Sequence, residues 1–408
     1  MDKVLLRQSY EYLSKIIREG AYVNVVIGGI KDTPDRPVIT KLVYGVVERY
    51  YELNQIVGAL CPKSPKPAIK IVLMQAIYAI RYLEIPNYAI VNASVDLVQD
   101  IGKKELKGFV NAVLKKATRE EYTLPSDEKS VLEAKYNLPY DLIKALREDL
   151  GEKAESVLMP PRDAREHVRI SQNADSQAVL EQIKDYTKSE VGGYYVKNCE
   201  VVKRLFDEGK LTFQSPSSMF AVQALGDVNG KSLLEICSAP GGKAVYSAEL
   251  GALVTACDIH PIRVKLIEKY ATRMGVKLKA IVNDGKKDRP EWHNKYDIVT
   301  VDAPCSGLGV IAKRPDIALE YDSKKYQDLV KEQRAILKQS AKYVKRGGVL
   351  LYSTCTVLKA ENESTIRDFL VKNSDFEIMP FDGAESGEIT LYPNDNYDGF
   401  YIAKLRKK

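Results

Sequence analysis

The stretch KSLLEICSAPGGK, Lys231–Lys243, runs from apolar residues into small ones and then into the start of a helical pattern. A short apolar run closed by turn residues reads as a buried strand. Glycines in the following turn let backbone N–H groups approach a ligand at a helix N-terminus. The spacing is not the G-x-x-x-x-G-K-[ST] of a phosphate loop, so the stretch argues for a strand–loop–helix unit and no more. From there the chain alternates. Strand-like ALVTACD, LKAIVND, YDIVTVDAP and GVLLYST are interleaved with helix-like GKAVYSAELG, PIRVKLIEKYATRMG, LVKEQRAILKQSAKYVK and KAENESTIRDFLVKN. Such alternation predicts a mostly parallel sheet covered on both faces. The KRGG before GVLLYST is expected to be the turn into that strand. FEIMP and GFYIAKLRK, with no long helix between them, are expected to close the sheet as an antiparallel pair.

Upstream the period changes. In KLVYGVVERYYELNQIVGAL, Val43, Val46, Val47, Tyr50, Leu53, Ile56, Val57 and Leu60 recur at steps of three and four, which predicts one amphipathic helix. PAIKIVLMQAIYAIRYLE and KELKGFVNAVLKKATRE continue the pattern, separated by the turn-like CPKSPKP and EIPNYA. An all-helical bundle is expected, its aliphatic and aromatic residues serving as core. YTLPSDEKSVLEAKYNLPYD, with Pro125 and Pro139, reads as a hinge, and a small α/β region follows to about 210. The expected division is therefore 1–123, 124–210 and 211–408.

Composition sets outer limits. At 408 residues the chain exceeds one ordinary core, and 45% hydrophobic with 28% charged residues is the make-up of a soluble globular protein. The start, MDKVLLRQSYEYL, has charges within its apolar stretch and lacks the pattern of a signal peptide. The richest apolar run, AIKIVLMQAIYAI, is interrupted by Lys70 and Gln75 and is shorter than the roughly 20 residues of a membrane span. A cytoplasmic protein is expected. Six cysteines form no C-x-x-C pair, so neither a metal site nor a disulfide scaffold is expected. Of the net charge of +6, most lies in residues 1–123, where 18 Lys and Arg face 13 Asp and Glu. A basic face suits a polyanion, although it also serves simply as a solvated surface.

The chemistry concentrates at predicted strand ends. The second strand ends in Asp258 and the third in Asp284; ionised carboxylates there accept hydrogen bonds from ribose hydroxyls or an exocyclic amine. Each alone reads equally as a cap or turn residue. The fourth strand runs into VDAPCSGLGVIAKRPDI, with Asp302 and Cys305, and the fifth, LLYSTCT, places Cys355 where its apolar run stops. A lone cysteine is most often a small buried hydrophobe. Two thiols and a carboxylate at one sheet edge are different, because open α/β sheets bind ligands outside the carboxyl ends of their strands.

With CSAPGGK, DAPCSG, STCT and ENE (Glu361–Glu363) assembled, the C-terminal part resembles the RNA cytosine-C5 methyltransferases. The N-terminal third, notably FVNAVLKK, resembles the RNA-binding helical domain of the antitermination factor NusB, a fusion seen in small-subunit ribosomal RNA methyltransferases of that family. The resemblance implies a multi-domain chain: an all-α NusB-like bundle, a small α/β linker domain and an α/β Rossmann-like S-adenosylmethionine-dependent methyltransferase domain. It implies Cys355 as covalent nucleophile, Asp302 as the acid at N3 of cytosine and Cys305 as an aid to release. It further implies that Cys237, Ser238, Ala239, Pro240, Gly241, Gly242 and Lys243 wrap the cofactor, with Asp258 on the ribose, Asp284 near the adenine and Asp302 alongside; Lys243 also reads as a structural first-turn residue. The implied partner is small-subunit ribosomal RNA, bound by a monomer, with no membrane or metal. The same chemistry on transfer RNA or another ribosomal RNA site, and a non-catalytic RNA-binding assembly or antitermination factor, are the rival readings; two thiols at strand ends argue against the latter. Where the family usually carries an aspartate near the end of the first strand this chain has Glu235, and FQSPSS stands where VQD is common.

Overall fold

The computed structural model describes residues 3–161 and 165–408. The chain divides into two compact units, Met1–Gly151 with Ile311–Tyr321, and Glu152–Val310 with Asp322–Lys408.

The first unit is helical. The helix Pro67–Tyr82 buries residues on every side, because Lys3–Glu19, Arg36–Glu48, Tyr50–Leu60, Asn87–Asp100 and Lys107–Thr118 all pack on it. Gly45 permits one of these contacts: a Cβ there would lie 2.1 Å from the Tyr78 ring. The single helix expected over Lys41–Leu60 is two, broken at Arg49 (φ −109°, ψ 26°). The apolar period survives the break because both helices face the same core, so periodicity does not register it. Arg49 is held there by Glu52 at 2.9 Å and by the face of the Tyr82 ring. Glu128–Tyr136 and Tyr140–Leu150 join this unit, Gln55 Nε2 donating to the Ser130 carbonyl at 2.6 Å and the Glu52 N–H to Asn137 Oδ1 at 3.2 Å. So does Ile311–Tyr321: the hydroxyls of Tyr44 and Tyr51 donate to the carbonyls of Ala312 and Ala318, at 2.9 and 3.1 Å.

The second unit opens with an antiparallel sheet of β1 (Glu166–Ile170), β2 (Tyr186–Lys188), β3 (Tyr194–Val196) and β4 (Leu211–Phe213), ordered β2-β3-β1-β4. Val179, Ile183, Val202 and Leu205 of two short helices fill its apolar side. A buried Arg169–Glu249 ion pair ties β1 to the helix Gly242–Glu249.

The large sheet contains β5 (Ser232–Ile236), β6 (Leu253–Asp258), β7 (Lys279–Val282), β8 (Tyr296–Asp302), β9 (Val344–Thr354), β10 (Phe376–Ile378), β11 (Glu388–Leu391) and β12 (Phe400–Lys407). Its order is β10-β12-β9-β8-β5-β6-β7, with β11 added on β12. The strands β5 to β9 are parallel, and β12 runs antiparallel between β9 and β10. The expected closing pair is therefore present, with Phe376 opposite Lys407. Ile236, Val299 and Val301 pack under the helices Ser323–Ala341 and Glu363–Lys372; Leu233, Ala256 and Ile298 pack under Gly242–Glu249 and Pro261–Arg273. KRGG is not a turn. It lies inside β9 as a bulge, the register skipping from Tyr296↔Val344 to Ile298↔Val349 with Gly347 at φ +79°. Glycine supplies a positive φ to a bulge as readily as to a turn, so composition does not separate the two.

Successive strands step outward from β5 to β7, and the chain then returns to β8 on the other side of β5. That reversal opens a crevice at the carboxyl ends of β5 and β8, where ligands bind in sheets of this kind.

Candidate active site

The loop after β5 begins with Cys237 at φ +60° and reaches Gly241 at φ +105°, where a Cβ would press within 3.2 Å of Ile267. Only glycine suits that position, and the helix Gly242–Glu249 starts immediately after it. The Ser238 N–H donates to the Cys257 carbonyl at 2.8 Å and Arg263 Nη2 to the Ala239 carbonyl at 3.1 Å, anchoring the loop to β6 and the following helix. Ala239 and Ser238 are buried, and Pro240 is exposed.

Lys243 turns back under the loop, its Nζ 2.6 Å from Asp302 Oδ2 at the end of β8. Ser353 Oγ donates to the other Asp302 oxygen at 3.2 Å. Burial works against the lysine charge, but Asp302 and Glu235 outweigh it and hold the ammonium above its ordinary pKa. Glu235 is itself buried in β5, which pushes its carboxyl up to about 8. Burial also raises the Cys237 thiol to about 12, with Asp302 and Asp258 adding to the effect, so Cys237 stays neutral.

Asp258 is buried at the end of β6, where its Oδ1 accepts from the His260 N–H at 3.1 Å and its Oδ2 lies 3.4 Å from Arg263 Nη1. Asp284 sits half-buried beyond β7 and accepts from the Lys286 N–H of its own turn at 3.0 Å. The loop, Asp302, Lys243 and both thiols thus meet around β5, β8 and β9, Asp258 stands at the next strand end, and Asp284 lies beyond it.

The two thiols are adjacent: Cys305 Sγ and Cys355 Sγ are 3.2 Å apart. The Gly309 N–H donates to the Cys355 carbonyl at 3.0 Å, binding the two loops together. The contact with Cys355, burial and the Glu361 charge raise the Cys305 thiol well above its usual range, against the N–H of Gly307.

The residues between and behind these loops carried no role in the sequence reading. Glu361 and Asn362 are buried, and with Ser306, Thr356 and Gln333 they form a hydrogen-bonded bracket behind the thiols. ENE was the available signal, but a polar triplet in a loop reads as exposed until a fold closes over it.

Among the described residues, Glu235 Oε1, Ser238 Oγ and Asn283 Nδ2 are buried around the loop with no hydrogen-bond partner, and Asp258 Oδ2 meets only the Arg263 ion pair. Unmet polar atoms at parallel strand ends, beside a glycine loop opening a helix, frame a Rossmann-like nucleoside-cofactor crevice, as the expected S-adenosylmethionine site requires. The acceptors match the ribose hydroxyls and amino groups of that cofactor, so the residues fit it.

Comparison with known proteins gives the family. A profile of the 16S rRNA methyltransferase RsmB/F family matches residues 222–406, and one of the NusB family matches residues 8–119. The chain is 30% identical, over the whole of both chains, to the "Probable ribosomal RNA small subunit methyltransferase B" of Bacillus subtilis, strain 168. It is 28% identical to the "Ribosomal RNA small subunit methyltransferase B" of Vibrio cholerae, over 92% of this chain and 90% of that one. The chain belongs to the RsmB/F family of RNA methyltransferases. Its fold is shared with the crystal structure of PH0851, at a TM-score of 0.86, 24% identity, and coverage of 100% of this chain and 99% of that one. The structure of NSun6 from Pyrococcus horikoshii with SFG follows the fold at a TM-score of 0.59 and 20% identity, over 67% of this chain and 99% of that one. Among the described residues no helix is long and apolar enough to cross a membrane, and no group of three or more His, Cys, Asp or Glu could hold a metal ion.

Proposed function

We propose that this protein methylates carbon 5 of a cytosine in small-subunit (16S) ribosomal RNA through a covalent adduct on Cys355. The observation that carries the reading is the pair of sulfurs 3.2 Å apart at the ends of neighbouring strands, with the Lys243–Asp302 pair next to them. The names of the relatives in Bacillus subtilis and Vibrio cholerae support the ribosomal substrate.

Carbon 5 of cytosine is a poor nucleophile. When the Cys355 thiolate adds to carbon 6, the ring becomes an enamine whose electrons are available at carbon 5. As charge builds at N3 the Asp302 carboxyl group gives N3 its proton, Lys243 Nζ keeping the resulting carboxylate aimed, and N3 returns that proton to Asp302 as the bond between carbon 6 and sulfur breaks. Bound S-adenosylmethionine supplies an electrophilic methyl group on a positively charged sulfur. After carbon 5 is methylated, its proton passes to water. The bond between carbon 6 and sulfur then breaks, its electron pair returns to Cys355, and Cys305 lends its proton to that departing sulfur. Cys237 to Lys243, Asp258, Asp284 and Asp302 hold the cofactor, and the target base leaves its stack to enter the crevice. In this reading residues 1–123 grip RNA, 124–210 link, and 211–408 catalyse, in a cytoplasmic monomer.

Two variants test it. Cys355→Ala is expected to bind cofactor and transfer no methyl group. Cys305→Ala is expected to stall with RNA attached, visible as a denaturant-resistant band on a gel. Normal turnover by the first variant overturns the covalent role. Bisulfite sequencing of ribosomal RNA from a strain lacking the protein is expected to show one cytosine losing its protection; unchanged ribosomal RNA with an altered transfer RNA overturns the substrate.

A further inference from the structure

Glu361 touches neither thiol. Its carboxylate accepts from the Ser306 N–H at 2.9 Å and Gln333 Nε2 at 2.7 Å on Oε2, and from Ser306 Oγ at 2.5 Å on Oε1. Gln333 also donates to the Pro304 carbonyl at 2.9 Å. Every one of these side-chain contacts is with a donor, as suits an ionised, acceptor-only carboxylate. Because Ser306 gives its one proton to Glu361, Thr356 donates to Ser306 across 2.7 Å. The hydroxyls of Thr356 and Ser306 therefore form one ordered chain from the residue after Cys355, through the residue after Cys305, to the carboxylate. Asn362 completes the bracket, accepting from Thr354 Oγ1 at 2.6 Å and donating to the Thr356 carbonyl at 3.1 Å, one grip on each side of Cys355.

We infer that Glu361 is a positioning residue that staples the two thiol loops and makes Cys305 the sulfur that keeps the proton. The inference rests on the covalent reading of Cys355 above and adds what polarises the pair. The charges around it are unequal. Cys305 faces Cys355 and the Glu361 charge, both of which raise its thiol, with the Gly307 N–H in opposition; neighbouring Tyr352 feels the same Glu361 charge and, against it, Arg334. Cys355 lies within the field of the Lys243 ammonium, which Asp302 holds in place. The Glu361 charge, held behind Cys305 by the Ser306 N–H and hydroxyl, favours the proton on Cys305, the acid that release requires.

The test uses the full chain without RNA. Iodoacetamide labelling across a neutral-to-alkaline pH series, read cysteine by cysteine by peptide mass spectrometry, is expected to show Cys305 reacting only toward the alkaline end. In Glu361→Gln the Cys305 labelling curve is expected to move about one pH unit lower, which is about a tenfold gain in labelling at neutral pH. Methyl transfer then falls in kcat at an unchanged KM for the cofactor. Glu361→Asp keeps the charge, so its Cys305 profile is expected to stay as in the parent. An unchanged Cys305 profile in Glu361→Gln, with calorimetry showing cofactor still bound, overturns the inference. If Glu361→Gln no longer binds cofactor, Glu361→Asp decides: a retained profile supports the role of the charge, and a profile moved to lower pH overturns it. Failure of the covalent reading shows elsewhere, as a missing RNA adduct in Cys305→Ala, and leaves this labelling untouched.

Discussion

Glu235 is the residue whose setting has the plainest thermodynamic consequence. Its carboxyl ionises near its usual 4.5 in the unfolded chain and only at about 8 in the fold, because burial penalises the charge. Between those values the folded state binds more protons than the unfolded one, so stability falls as pH rises through that window. Glu235→Gln, neutral throughout, is expected to flatten the pH dependence of the unfolding midpoint between pH 4.5 and 8, the parent losing on the order of a few kcal/mol there and the variant less. Denaturant titrations at several pH values check this, and an unchanged slope would place the ionisation elsewhere. Asp258 calls for a gentler change, since its Oδ1 also caps the His260 N–H. Asp258→Asn preserves the cap and removes the charge that the proposed ribose contact uses. Cofactor affinity is expected to drop by roughly 1.5 to 3 kcal/mol, tenfold or more, by calorimetry.

At the scale of elements, the thiol pair depends on a backbone crossing that no side chain could survive. The Gly399 N–H donates to the Gly309 carbonyl at 2.8 Å while the Gly309 N–H donates to that of Cys355 at 3.0 Å, so the loop after β8 is threaded between the end of β9 and the start of β12. A Cβ on Gly309 would meet the Gly399 carbonyl oxygen at 2.1 Å, and a backbone atom does not yield as a flexible side chain does. Gly309→Ala is expected to cost on the order of 1 to 3 kcal/mol and to part the sulfurs. Circular dichroism should show the helical signal kept, while methyl transfer falls far more than cofactor affinity. Equal losses of both would mean that the crossing supports the whole sheet and not the thiols in particular.

For the whole molecule, the basic excess of the first unit is the feature that bears on RNA. In GKKELKGFVNAVLKK the lysines are not equivalent: Lys107 pairs with Asp96 at 3.3 Å and donates to Gln99 at 3.1 Å, whereas Lys104, Lys115 and Lys116 are exposed. The exposed three are therefore the ones to change together to Gln in the full chain. Each that contacts a phosphate is expected to lower the slope of log affinity against log salt by about 0.7 to 0.9, with cofactor binding unchanged. Affinities at several salt concentrations measure this, and a slope equal to the parent's would make these lysines a solvated face.

The alternation of β-rich and helical segments after Lys231, and the placing of CSAPGGK, DAPCSG and STCT at strand ends, were legible because strand and helix periods are local properties of the chain. The glycine loop and the proximity of Cys305 to Cys355 could be read from that order alone, since parallel strands bring their carboxyl ends to one edge. What needed the folded molecule were the features made by residues far apart in sequence. The helix break at Arg49 is invisible to a period that serves one core, and the bulge at Gly347 shares its residues with a turn. The burial of Glu361 depends on Gln333 and Ser306, 28 and 55 residues away. Hydrophobic pattern determines which face of an element is buried; it says nothing of which polar groups the packing then encloses.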